Sequence, residues 1–348
     1  MSAAPVLYQL FVGIDVAAKS FTVTWTQDRH HYARSVTFDY TQSGISQLQA
    51  ALQATAVVPA KTLIVLEATG SYWITLAVNL HSAGFAISIA NPAQVHAWAR
   101  SLPRRGKTDP LDAHVLAQFA AERQPPRWTP PPAVYHELRQ RLTARDALRE
   151  LHQQTRNQRH ALAQWPVVVA SVMTQLDDVI TDLDGRIRTL EDEIGQVLAQ
   201  GAWASSAALL ESITGIGMLT AAWLLVLTVN FSRCASGAAL SNYAGLTPLA
   251  RESGTSVRGR AQLGHTGNVR LRTVAYLATL SAARHNPLIK TFYNRLRAEG
   301  KPMKVARCAA ARKLLQLAYA VVTNETPFDP YYRTRQAVQE PVSDAHPG

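Results

Sequence analysis

"LYQLFVGIDVAAKSFTVTWTQ", residues 7–27, is the stretch on which the fold turns. Its first half is an apolar strand candidate that carries a single charge, Asp15. Its second half, "SFTVTWTQ", alternates with a period of two, the mark of a strand with two unlike faces. "HYARSVTFDY", residues 31–40, is a third such run. Short turns separate the three, so an antiparallel meander is expected.

Beyond the meander the pattern changes. "GISQLQAALQAT" has helical spacing, and "KTLIVLEATG" is a buried-type strand closed by Gly70. "SYWITLAVNLHSAG" reads as a helix ending at Gly84, "FAISIANP" as a fifth strand and "PAQVHAWARSL" as a helix. "RRGKTDPLDAHVLAQ", residues 104–118, opens one more. The order β-β-β-α-β-α-β-α is the plan of an α/β RNase H-like fold.

The chain has 348 residues, enough for two or three domains. Hydrophobic residues make up 47% and charged residues 17%, the balance of an ordinary soluble globular protein. The net charge of +11 favours a polyanionic partner, although a solubilising surface charge would look the same in bulk. Cys234 and Cys308 fit neither a metal spacing nor a disulfide framework, so buried thiols in a reducing cytoplasm are expected. The N-terminus lacks the basic region of a signal peptide. The longest apolar run, "MLTAAWLLVLTV", is of core length and too short for a membrane span.

"RQPPRWTPPP" is a proline-rich break. The expected domains are therefore residues 7–123, a linker at 124–132, a helical or coiled-coil segment at 133–203, a mostly helical region at 204–328 and a disordered tail at 329–348. In the middle segment Leu176, Val179, Ile180, Leu183, Ile187 and Leu190 recur at steps of three and four. An intramolecular helical hairpin and a dimer arm fit that stripe equally well.

Two lone acids, Asp15 and Glu67, close apolar strands that are neighbours in the expected topology. Asp109 and Asp112 stand three apart, on one face of the last helix. Helix capping explains that pair in isolation, with Thr108 as N-cap and Pro110 in the first turn. Four converging carboxylates would repel one another, and a divalent cation resolves the repulsion. Oxygen-only donors favour Mg²⁺ or Mn²⁺. Two such ions roughly 4 Å apart suit displacement at phosphorus. Arg104, Arg105 and Lys107, just before the pair, would then face phosphates.

"GLTPLARESGTSVRGRAQLGHTGN", residues 245–268, reads as an irregular loop in the helical region. Together with "VRLR" at residues 269–272, it offers Ser253, Gly254 and Asn268 among Arg251, Arg258, Arg260, Arg270 and Arg272, fit for binding phosphates. A binding loop without chemistry has the same composition, since a serine needs a base or metal to become a nucleophile. Only His265 is at hand as a local base. Upstream, Gly215 and Gly217 in "LLESITGIGMLTAAWL" form either the phosphate-binding turn of a helix-hairpin-helix element or a plain αα-corner.

"GIDVAAKS", "LEATGSYW" and "KTDPLDAHVLA", followed by "ITGIGMLTA", "YAGLTPLARESG" and "GHTGNVRLR", resemble the DEDD-type insertion-sequence transposases of the IS110 family, which also contains the Piv-type DNA invertases. The resemblance runs over residues 8–325. It implies a RuvC-like catalytic domain, a coiled-coil middle and a C-terminal transposase domain. It also implies the acidic set Asp15, Glu67, Asp109 and Asp112, and Ser253 as nucleophile with Ser256 as competitor. It implies donor and target DNA as substrates, a structured bridge RNA as guide, and dimers and tetramers in which one subunit's acids meet another's serine. His265 stands where many members carry lysine. The alternative is a RuvC-like two-metal nuclease that uses activated water, with Ser253 as scaffold.

Overall fold

A computed structural model describes residues 7–68, 70–101, 109–253, 257–264 and 266–331, with the backbone alone described at 109–111, 249–253 and 257–262. The chain divides into two compact units, Met1–Pro130 and Pro131–Gly348.

The first unit is built on a five-stranded sheet of order β3-β2-β1-β4-β5. Strands β1 (Leu10–Val16), β2 (Ser20–Thr26) and β3 (Val36–Asp39) form the antiparallel meander. Strands β4 (Thr62–Glu67) and β5 (Ala86–Ala90) join β1 in parallel, through helices α1 (Gln42–Gln53) and α2 (Trp73–Ser82). Gly84, at φ +89°, lets the chain turn from α2 into β5. Helices α3 (Pro92–Ala99) and α4 (Asp109–Arg123) complete the unit.

Both faces of the sheet are covered, which is why β1 and β4 read as continuous apolar runs. Val12, Ile14, Ile64 and Leu66 pack with Leu48 of α1 and Leu76 of α2. On the opposite face, Phe11, Leu63 and Val65 pack with Trp98 of α3 and with Leu116 and Phe119 of α4. The threonine face of β2 is also buried, and two of its hydroxyls find partners on the β3 side: Thr22 meets Thr37 at 3.0 Å and Thr24 meets Ser35, just before β3, at 2.6 Å. The proline-rich segment runs along β5. Trp128 N–H donates to the Ile87 carbonyl at 2.7 Å, and its ring meets Trp73 edge-on at 5.7 Å. The outer edge of β5 is thereby partly shielded.

The second unit opens with α5 (Ala133–Leu162) and α6 (Ala170–Gln200). Arg141 pairs with Glu193 at 2.8 Å, Arg145 with Glu191 at 2.6 Å and buried His152 with Asp184 at 3.2 Å. Numbers rise on one helix as they fall on the other, so the two form an antiparallel intramolecular hairpin. Helices α7 (Ala204–Glu211), α8 (Met218–Thr228), α9 (Gly237–Tyr243), α10 (Val269–His285), α11 (Pro287–Ala298) and α12 (Met303–Thr323) enclose the second core. The apolar run from Met218 is the core helix α8. Among the described residues no helix is long and apolar enough to cross a membrane.

One expectation fails. The stretch between α9 and α10 is no irregular loop but an antiparallel pair, β6 (Pro248–Ser253) and β7 (Val257–Leu263), with an irregularity in register between Leu249 and Arg251. Its arginines and glycines break the apolar alternation by which a strand is recognised.

Candidate active site

The site begins at the carboxyl ends of two parallel strands. The β1–β4 register pairs Gly13 with Val65 and Ile14 with Leu66, and the next step sets Asp15 beside Glu67. On its other side Asp15 pairs with Thr22 of β2. Both acids are half-buried where the apolar part of each strand ends. By the period of two, Asp15 shares a face with Phe11 and Gly13, and Glu67 with Leu63 and Val65. That is the face covered by α4.

Gly13 brings the start of α4 onto the sheet. A Cβ there would stand 2.1 Å from Ala117 N and 2.2 Å from Ala113 O. The first turns of α4 therefore lie directly on the β1 backbone, and half-buried Asp112, the residue before Ala113, comes to the Asp15 end of the sheet. Asp109 opens α4. Glycine within a strand signals such an approach, and Gly13 is the residue that inspection of the acids alone overlooks. Arg104, Arg105, Lys107 and Thr108 lie outside the described residues, as does the Asp109 side chain. Among the described residues no group of three or more histidine, cysteine or acidic side chains forms a metal cluster.

In the second unit Ser253 is the last residue of β6, opposite Val257 of β7. Glu252 lies opposite Arg258, and Arg251 opposite Gly259, while Arg260 lies further along β7. Gly254, Ser256 and His265 fall outside the described residues. The base of the hairpin is closed by two glycines with left-handed backbones, Gly245 (φ +69°) and Gly267 (φ +100°). A Cβ on Gly267 would meet the Gly245 nitrogen at 2.6 Å, so the two strands cross in backbone contact.

Three residues expected to hold nucleic acid have structural work at this base. Asn268 caps α10, its side-chain oxygen accepting from Leu271 N at 3.0 Å while its amide donates to the Tyr243 hydroxyl at 3.0 Å. Arg272 donates to the carbonyls of Ala244 and Thr266 at 3.2 and 3.1 Å. Arg270 pairs with Asp146 of α5 and lies 4.3 Å from the centre of the Trp223 ring. Burial pulls the Arg270 pKa down, and the nearby charge of Arg145 adds to that.

The glycine turn before α8 divides its labour. Gly215 (φ +105°) packs on the Ala282 backbone, and Asn286 donates to the Thr214 carbonyl at 3.1 Å. Gly217 is the N-cap of α8, and a Cβ added there would meet open space.

Comparison with known proteins places this arrangement. A family model of the IS110 DEDD type, described as "Transposase", matches residues 12–164. A second, described as "Transposase IS116/IS110/IS902 family", matches residues 207–294. The "Pilin gene-inverting protein" of Moraxella lacunata is 33% identical over 325 residues, spanning 92% of this chain and 97% of that one. The protein of that name from Moraxella bovis gives the same figures. The "Insertion element IS110 uncharacterized 43.6 kDa protein" of Streptomyces coelicolor is 30% identical over 164 residues, 47% of this chain and 38% of that one. The fold and the matches define a DNA-rearranging enzyme. The chain belongs to the IS110 family of DEDD transposases, to which the Piv-type invertases are related.

Proposed function

We propose that this transposase is a site-specific recombinase that cleaves and rejoins DNA strands through a covalent serine link. The observation that carries the reading is the pairing of Asp15 beside Glu67 at the carboxyl ends of parallel strands, with the first turns of α4 laid on β1. The strand order and the meander-then-parallel topology support an RNase H-like, RuvC-like first domain. On this reading residues 124–132 link it to a helical segment at 133–203, and the transposase domain spans 204–328.

Asp15, Glu67, Asp109 and Asp112 would hold Mg²⁺ or Mn²⁺, because their donors are all oxygen. A cation held there would supply charge stabilisation at phosphorus. Ser253 Oγ forms a bond to the scissile phosphorus, and one strand end leaves with its oxygen as a free hydroxyl. The serine proton passes to that oxygen. In rejoining, the hydroxyl of a new strand attacks the phosphoserine and Ser253 recovers its proton. The hairpin arginines Arg251, Arg258 and Arg260, with Arg104, Arg105 and Lys107, contact phosphates, while Asn268, Arg270 and Arg272 hold the hairpin from behind. Gly217 offers α8 backbone N–H groups to a phosphate, and Gly215 shapes the turn.

The acids and the serine belong to different units. As the family resemblance implies, the acids of one copy of the chain meet the serine of another, in a dimer or tetramer acting in the cytoplasm. A structured bridge RNA supplies sequence choice by base pairing, and the net charge of +11 suits two polyanionic partners. The test is a covalent trap with guide RNA, labelled donor and target DNA and Mg²⁺ on a denaturing gel. A protein–DNA band lost in both Ser253→Ala and Asp15→Ala is the expected result. Cleaved DNA without an adduct, unaffected by Ser253→Ala, would make the enzyme a RuvC-like nuclease using water.

A further inference from the structure

Beneath the stem of the serine hairpin lies a groove of about 690 Å³ that the proposed strand exchange does not use. Leu246 and Pro248 lead into β6, and Leu263 ends β7. Together with Ala309 of α12 they give the groove an apolar lining. Its rim is cationic: Lys304, Arg312 and Lys313 of α12 line it, and among the described residues no carboxylate does. Lys313 is held with its ammonium 4.6 Å from the centre of the Phe292 ring, which fixes one cation at the edge of the apolar slot. Val305, another lining residue, is 53% exposed at the mouth.

An apolar slot edged by cations matches a nucleotide, with a flat base against the lining and a phosphate on the rim. We infer that this groove binds an unpaired nucleotide of a single-stranded DNA or RNA segment. A paired base cannot enter, because its faces are stacked and its edge is engaged in the duplex. Pro248 is five residues from Ser253 along an extended strand, about 17 Å. A nucleic-acid strand held along the hairpin is thus within reach of the groove. The inference rests on the chain's handling of nucleic acid but not on Ser253 as nucleophile.

Cys308 lines the same groove, while Cys234 is buried in the core. Maleimide alkylation of the full-length protein therefore reports on the groove. A short single-stranded oligonucleotide at saturating concentration slows Cys308 alkylation by about fivefold or more, and a duplex of the same sequence does not. Val305→Trp blocks the mouth, and Lys304→Gln with Arg312→Gln removes two of the three rim cations. Each weakens single-strand binding about tenfold and leaves duplex binding within about twofold. Parallel DNA and RNA oligonucleotides identify the source by which one protects at lower concentration. Alkylation at the free rate with the oligonucleotide bound overturns the inference, as does protection by polyglutamate and not by oligonucleotides. The Ser253→Ala protein, which cannot form the adduct, still shows protection, so the two proposals fail separately.

Discussion

Gly13 and Ala117 meet backbone to backbone: a Cβ on Gly13 would stand 2.1 Å from the Ala117 nitrogen. This contact sets the first turns of α4 directly on β1. The nearest atoms are main chain and cannot rotate aside. Gly13→Ala is therefore expected to destabilise the protein by about 1–3 kcal/mol through overpacking, whereas a compatible glycine-to-alanine change stabilises by about 0.4–1 kcal/mol. Urea denaturation decides it. Stability at or above that of the parent would mean that α4 has slack on the sheet.

Asn268 joins the serine hairpin to α10 by two separable bonds. Asn268→Ala removes both and is expected to cost about 1–2 kcal/mol. Asn268→Asp keeps the cap oxygen and loses the donor to Tyr243, so it recovers most of that cost. Equal thermal shifts in the two variants would show that the cap contributes nothing.

The strands and their acids are plain in the sequence because a sheet covered on both faces turns β1 and β4 into apolar runs, at whose ends a lone Asp15 or Glu67 stands out. The β6–β7 pair is not, because "PLARES" and "VRGRAQL" pair by backbone register with no apolar face to announce it. The stripe on α6 suits any partner helix, and only the pairing of Arg145 with Glu191 and its neighbours makes α5 that partner. Composition does not reveal that Asp146 engages Arg270 or that two carbonyls engage Arg272.

The Asp146–Arg270 pair ties the helical hairpin to the start of α10. Arg270 is 43% exposed and Asp146 23%, so solvent screens the pair. Its coupling should be about 1–2 kcal/mol, below the 3–5 kcal/mol of a fully buried pair. A double-mutant cycle with Asp146→Asn and Arg270→Gln measures it. Additive effects would reduce the contact to surface decoration.

Burial pushes the Cys308 thiol above its ordinary pKa, against a smaller opposing pull from Arg272. The thiolate is the nucleophile. Alkylation of Cys308 should thus reach half its maximal rate at a higher pH than alkylation of a free cysteine. Arg272→Gln removes the stabilising charge and moves that midpoint further up. A midpoint below that of free cysteine would place Cys308 in a far more electropositive setting than the groove provides.

Asp15 and Glu67 are adjacent acids at the ends of paired strands, with Asp112 at the same end. Asp15→Asn, nearly equal in size, should leave the metal-free protein folded while strand cleavage is lost. Cation binding to the folded form alone adds about 2.7 kcal/mol at a hundredfold excess over Kd, a rise of several degrees in Tm for a chain of this size. Mn²⁺ should raise the parent's Tm in that way and leave Asp15→Asn and Glu67→Gln nearly unmoved. Equal Mn²⁺ shifts in parent and variants would detach the cation from these acids and return Asp109 and Asp112 to the role of helix caps. A shift lost in Asp15→Asn and kept in Asp112→Asn would confine the cation to the strand ends and leave α4 as the wall of the site.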